Sequence, residues 1–295
     1  MKGILLALGA CGLWSLSPFF FTVTGRRIGA FATNLTRLGM AALALAALCA
    51  LERAFWPGAV APNSGAWILL VVSGVVGLAV GDFFLYRSLM AMGPERTSLL
   101  MTLSPAIAAA LAWLFLRETL SAMQLAGMAL VLGGVMAATW PEKLGGPARW
   151  SDSGYGLTAS LFQGVSTVLA RRVFLRQIDL SPVFATAVRV GAGALALLLV
   201  ALLSRRLKSS LSNARHPGIP PRLLFGTLTG PLIGMLCFIA ALKYQSAGVV
   251  TTVTFMTPLL IIPLGTWRYR TRLGGRVLAG GAAALAGVIL LGWAP

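Results

Sequence analysis

Acid is the scarcest feature of this chain: of 295 residues only 7 are Asp or Glu, against 24 Lys and Arg, and charged side chains amount to 11%. A soluble domain carries about 25%. Together with 58% hydrophobic residues and a mean hydropathy of +0.86, that shortage excludes an ordinary water-soluble globule and puts the chain in a bilayer. There is one histidine, His216, in a basic connection, and the apolar runs hold no Ser–His pairing, carboxylate cluster or metal-ligand spacing, which argues against a membrane-embedded enzyme. The three cysteines, Cys11, Cys49 and Cys237, sit inside apolar runs at unrelated spacings and suggest neither a redox pair nor a metal site. No GxxxxGK[ST] loop occurs, so nothing points to ATP use, and no cofactor is expected.

What the chain has in quantity is long apolar runs. A helix crosses a bilayer with about 20 mostly apolar residues. Ten such runs are read, at 3–23, 32–51, 66–88, 97–116, 122–140, 154–174, 182–203, 223–243, 249–267 and 275–293. Lys2 followed by an apolar stretch resembles a signal peptide, and Leu8-Gly9-Ala10-Cys11 a lipoprotein cleavage box. However, the run continues through Phe21, and Gly12 with its surroundings recurs later in the chain, so a membrane span is expected.

The second half repeats the first. With a constant shift of 153, Gly81 meets Gly234, Leu89 meets Leu242, Pro105 meets Pro258, Arg117 meets Arg270, Gly127 meets Gly280 and Gly134 meets Gly287. With a shift of 152, Gly12 meets Gly164, Arg37 meets Arg189, Gly39 meets Gly191 and Arg53 meets Arg205. So long a period is no solenoid. Two copies with five spans each must enter the membrane from opposite sides, giving inverted repeats of the kind found in secondary transporters. The expected fold is therefore an all-α membrane protein of ten transmembrane helices in two inverted five-helix repeats.

The net charge of +17 lies mostly in connections, at Arg26-Arg27, Arg171-Arg172, Arg205-Arg206 and the cluster from Arg268 to Arg276. That placement fits topology-setting charges beside lipid headgroups rather than nucleic-acid binding. Trp56, Trp67, Trp140, Trp150 and Trp293 near run ends read as interfacial anchors. Face A, with the 1–2, 3–4, 5–6, 7–8 and 9–10 connections, collects fifteen Lys and Arg, and face B seven, which puts face A in the cytoplasm and both termini outside.

Within the runs, Gly77 and Gly81 correspond to Gly230 and Gly234, a small-residue spacing that lets helix backbones approach. Pro105 and Pro258, the latter followed by Pro263, are expected to kink equivalent helices along a transport path. Only Arg37, Asp82 and Arg189 are charged and well inside a run. Each costs about 2.5–3.5 kcal/mol at a helix centre on insertion scales. Arg37 and Asp82 lie at matching depth and can form an ion pair; a proton-coupling role for Asp82 is the other reading. The counterpart of Asp82 is Met235, so Arg189 is left either to face an anionic ligand or to snorkel towards face B and bond backbone carbonyls. Trp14, Ser17, Tyr86, Ser104, Gln163, Ser166, Phe238 and Thr257 lie at similar depth and supply the mixture of a mostly apolar binding pocket.

Leu13-Trp14-Ser15 in span 1, the Ala32 to Arg37 opening of span 2 with its repeat at Arg189, and the stretch from Leu85 to Val135 with Pro105, Leu116-Arg117-Glu118 and Gly127 carry a family resemblance. The chain resembles the EamA repeats of the drug/metabolite transporter superfamily over nearly its whole length. The resemblance implies repeats at 1–145 and 150–295, with spans 1–4 and 6–9 around a central cavity and spans 5 and 10 to one side. It also implies export or exchange of a small-molecule substrate by alternating access. The partners it implies are that substrate and membrane lipids, in a monomer or homodimer, as a multi-pass protein of the bacterial inner membrane. A flippase for lipid-linked substrates on the same scaffold is the alternative. Two departures stand out: Ser15 follows Trp14 where the family has Gly, and Thr271 occupies the repeat position of Glu118. The family more often has cytoplasmic termini, against the charge count, so orientation stays open between the two.

Overall fold

The computed structural model describes residues 1–55, 62–140, 150–262 and 274–294. Trp56, Pro263, Arg268 and Thr271 lie outside them, as does the side chain of Trp150. Among the described residues the chain is helical, without a strand. The helices are α1 (Lys2–Ile28), α2 (Ala30–Phe55), α3 (Ser64–Gly74), α4 (Asp82–Met101), α5 (Leu103–Leu116), α6 (Ala122–Thr139) and α7 (Trp150–Arg176). They continue as α8 (Pro182–Leu203), α9 (Leu207–Ala214), α10 (Ile219–Thr227), α11 (Ile233–Tyr244), α12 (Ala247–Thr254) and α13 (Gly275–Trp293).

Local chemistry sets several of these boundaries. Gly29, at φ 85, makes the left-handed turn between α1 and α2 that a side chain would strain. Asn63 caps α3 by accepting from the Ala66 amide, Ser121 and Gln124 form a capping box on α6, and Ser181 precedes a proline at the first turn of α8. Eight helices among the described residues are long and apolar enough to cross a membrane. The ten runs read from sequence include two that differ. α7 has the length, but Asp152, Gln163, Arg171 and Arg172 dilute its apolar character, and Ala247–Ile262 is a shorter apolar helix.

Two irregularities recur at equivalent places. The third span, Ser64–Met92, passes through a π-helical segment at Val75–Gly81, and the eighth, Ile219–Tyr244, through one at Leu228–Leu232, the same stretch under the 153 shift. The helix breaks at Thr102 and again at Phe255 and Met256, three and two to three residues before Pro105 and Pro258. A proline cannot donate to the carbonyl four residues back, which belongs to the last helical residue before each break, Met101 and Thr254.

α6 packs on α13 through glycines. A Cβ on Gly127 would meet the Gly287 carbonyl and Leu291, and one on Gly134 the Gly280 carbonyl and Ala284. Residue numbers rise along one helix as they fall along the other, so the pair is antiparallel. Gly127 and Gly134 are the repeat counterparts of Gly280 and Gly287, so the two contacts exchange under the repeat, as a pseudo-two-fold axis between the helices requires.

Candidate functional site

The π segment of the third span is the centre of a buried polar cluster. Asp82, the residue that follows the segment, is 6% exposed, and its carboxylate pairs with Nη2 of Arg37 from α2. The second carboxylate oxygen, Oδ1, accepts from Nε2 of Gln163 on α7 at 2.9 Å. Arg37 Nε donates to Asn34 Oδ1 at 2.9 Å, and Asn34 Nδ2 in turn donates to the Leu78 carbonyl at 3.1 Å, inside the π segment. The Arg37 guanidinium also lies 5.1 Å from the ring centroid of Phe21 and 5.3 Å from that of Tyr86. Aromatic faces on a desolvated guanidinium contribute about 2 kcal/mol each. Five helical segments thus hold one ion pair, and every polar atom of the Asp82 carboxylate has a donor.

Arg189 reaches the same segment from α8. It is 1% exposed, and Nη2 donates to Ser166 Oγ at 2.8 Å, while Ser166 Oγ donates to the Ser73 carbonyl at 2.7 Å. Its side chain does not snorkel to face B. Among the described residues, Nε and Nη1 have no hydrogen-bond partner. The glycines explain how so large a group fits: the Arg189 backbone lies against Gly74, and a methyl on Gly77 would collide with Ser166 Oγ and stand 3.6 Å from Nη2.

The remaining expected residues distribute over both halves. Trp14 Nε1 donates to the Gly230 carbonyl at 3.2 Å, and its ring packs 5.3 Å from Phe238. The equivalent carbonyl of the first half, Gly77, accepts from Gln163 Nε2 at 3.4 Å. Each π segment is therefore bonded by the first helix of the opposite half. Ser17 Oγ and Thr229 Oγ1 lie 3.1 Å apart, and Thr257 Oγ1 donates to the Thr254 carbonyl at 2.6 Å and contacts Cys11 Sγ at 3.7 Å. Ser104 is buried in α5 beside Pro105. Gly77, Gly81, Gly230 and Gly234 are all buried, facing Ser166, Phe162, Ser17 and Trp14 respectively rather than lipid.

Sequence reasoning missed three members. Asn34 and Phe21 carry no repeat signature, since their counterparts are Thr186 and Val173. Arg171, read as a topology-setting loop charge, is a partly buried member of α7. Its Nε pairs with Glu118 Oε1 at 2.5 Å, and its Nη1 donates to the Leu242 carbonyl at 2.6 Å. Glu118 Oε2 accepts from the Ala247 amide at 3.2 Å, at the start of α12, where the helix dipole favours a carboxylate. The face-B ends of α5, α7, α11 and α12 are thereby joined. The same face is tied by Ser181 Oγ to Glu52 Oε1 at 2.6 Å and by the Asn63 amide to Gln177 Oε1 at 3.2 Å.

No curated protein matches the chain. A solved structure described only as "Crystal structure of protein" has the same fold, with a TM-score of 0.73 over 99% of this chain and 99% of that one at 18% identity. The model of the EamA-like transporter family matches residues 1–140 and again 153–293. The chain belongs to the EamA-like transporter family, and so is a multi-pass membrane transporter of the drug/metabolite superfamily.

Proposed function

We propose that the protein is a secondary transporter that exports or exchanges small metabolites by alternating access, with its substrate site at the polar cluster beside the π segment of the third span. In this reading α7 and the Ala247–Ile262 helix complete ten spans, and residues 1–145 and 150–295 form the two moving repeats of an inner-membrane carrier. The observation that carries it is the reciprocal bonding of the two π segments. π segments concentrate at functional sites because they break regular helix hydrogen bonding. Here equivalent ones lie near mid-span, each held by the first helix of the other half. The charge link at face B supplies a closed end. Its repeat counterparts at face A are Phe19 and Thr271, which offer no such link.

Counterflow in proteoliposomes tests this. Labelled metabolites should accumulate only when unlabelled substrate is inside, and a flexible bifunctional thiol linker joining Glu118→Cys to Arg171→Cys should stop it reversibly. Uptake without trans-stimulation, and indifferent to the linker, would mean a channel.

A further inference from the structure

Resting on that reading, we infer that the cargo is a small organic monoanion whose carboxylate binds Arg189. The argument starts from charge. Arg37, Asp82 and Arg189 are all buried around one π segment, and two cations against one anion leave a single positive charge over. An isolated buried charge is expensive unless something pairs with it. Water could satisfy the donors on Nε and Nη1 of Arg189, but it brings no negative charge.

Among the described residues no fixed acid takes the role. Asp82 is within electrostatic reach, yet its two oxygens already accept from Arg37 and Gln163. Glu118, in a partly buried pair, belongs to Arg171 at face B. The repeat shows where a resident counter-ion for Arg189 would stand, on the helix that packs against α8 as α4 packs against α2, and that position is Met235. The second half has the arginine of the first without its acid, in a site where the anion must come from outside and leave again.

The commitment of the Asp82 charge to Arg37 also sets the class. A zwitterion or an amine needs uncommitted negative charge for its ammonium, whereas the one carboxylate of the cluster is already paired with Arg37 and has a second cation, Arg189, beside it. The unmet groups are donors only, because a guanidinium has no acceptor, and a planar fork of donors suits a carboxylate.

The test is thermal stability of the purified full chain in the presence of sodium lactate, benzoate and indole-3-acetate, their amides, the corresponding amines, and inorganic phosphate. Binding to the folded state raises Tm, by roughly 5 °C at about 100-fold over Kd. At least one carboxylate should stabilise the wild type while its amide and amine do not. Met235→Asp should itself raise Tm by supplying the missing acid, and should lose the carboxylate response; Arg189→Lys should keep a weaker one.

The assignment is overturned if no carboxylate stabilises the wild type, if amides or amines do so equally, if phosphate alone does, or if Met235→Asp responds like the wild type. Counterflow separates this from the wider reading. Counterflow of neutral or cationic cargo would sink the anion class and keep the transporter, whereas carboxylate binding without counterflow of any labelled carboxylate would do the reverse.

Discussion

The two halves carry the same arginine into the same depth of membrane and give it different company. In the first half Arg37 has Asp82, Asn34, Phe21 and Tyr86 around it. In the second half the repeat counterparts are Met235, Thr186, Val173 and Ile239, and Arg189 turns instead to Ser166 and the glycine face of the third span. A duplicated scaffold does not need to duplicate its chemistry. One half has become a closed polar network that fixes the π segment, and the other keeps donors unspent beside it.

The largest effect that would break this comparison is at Asp82. If the first-half pair is structural, Asp82→Ala leaves Arg37 buried without its anion and should destabilise the protein by about 3–5 kcal/mol. That loss would be read as a drop in melting temperature in detergent and in monodisperse yield. Replacing both partners, as Arg37→Leu with Asp82→Leu, should recover most of it, because two apolar residues leave no orphaned charge. Transport that survives in the double variant, with the same response to a pH gradient as the wild type, would remove Asp82 from any proton-coupling role. A double variant as unstable as the single one would show that the pair is not the unit.

Much of this was legible before any coordinates. The repeat placed Arg37 against Arg189 and Asp82 against Met235, and depth alone made the Arg37–Asp82 pair geometrically possible. The glycines were legible as close-approach positions because small residues recurred at one spacing in both halves. The π segments were not legible. They arise where glycine, proline and tertiary bonding outweigh helix regularity, and no local residue pattern encodes the extra residue in the turn. Nor was the role of Arg171, because a charge four or five residues from a helix end reads as a loop charge until its partner on another helix is known. α7 shows the same limit in composition: among the polar residues that lower its hydropathy are two that reach the cluster, Gln163 and Ser166.

A middle-sized effect sharpens the comparison where the halves agree. The contact of α6 with α13 exchanges under the repeat, so equivalent substitutions should cost the same. Gly134→Val drives its side chain at the Gly280 carbonyl and Ala284, and Gly287→Val at the Gly127 carbonyl and Val131. Each should destabilise by about 1–3 kcal/mol, since a backbone carbonyl cannot move aside as a flexible side chain does. Equal losses in melting temperature would support a functional two-fold between spans 5 and 10. A large loss from one and none from the other would mean that the packing symmetry is only approximate.

The smallest expected effect concerns the two faces, where the halves differ again. Glu118 and Arg171 tie α5 and α7 to the start of α12 at face B, while the same places in the repeat hold Thr271 and Phe19. Glu118→Gln keeps the shape and removes the charge, which should weaken the link by about 1–2 kcal/mol, the range of a hydrogen bond to a charged group set against its partial exposure. For the alternating-access carrier proposed above, that would be a roughly 5- to 30-fold shift in population. Amide hydrogen exchange reads it locally: the first turn of α12 and residues 116–120 should exchange about tenfold faster in Glu118→Gln, while the α4–α7 contact around Ser160 and Leu100 keeps its wild-type protection. Acceleration spread evenly over the chain would instead mean global destabilisation, and the face-B link would then be one packing contact among many rather than the element that holds one end shut.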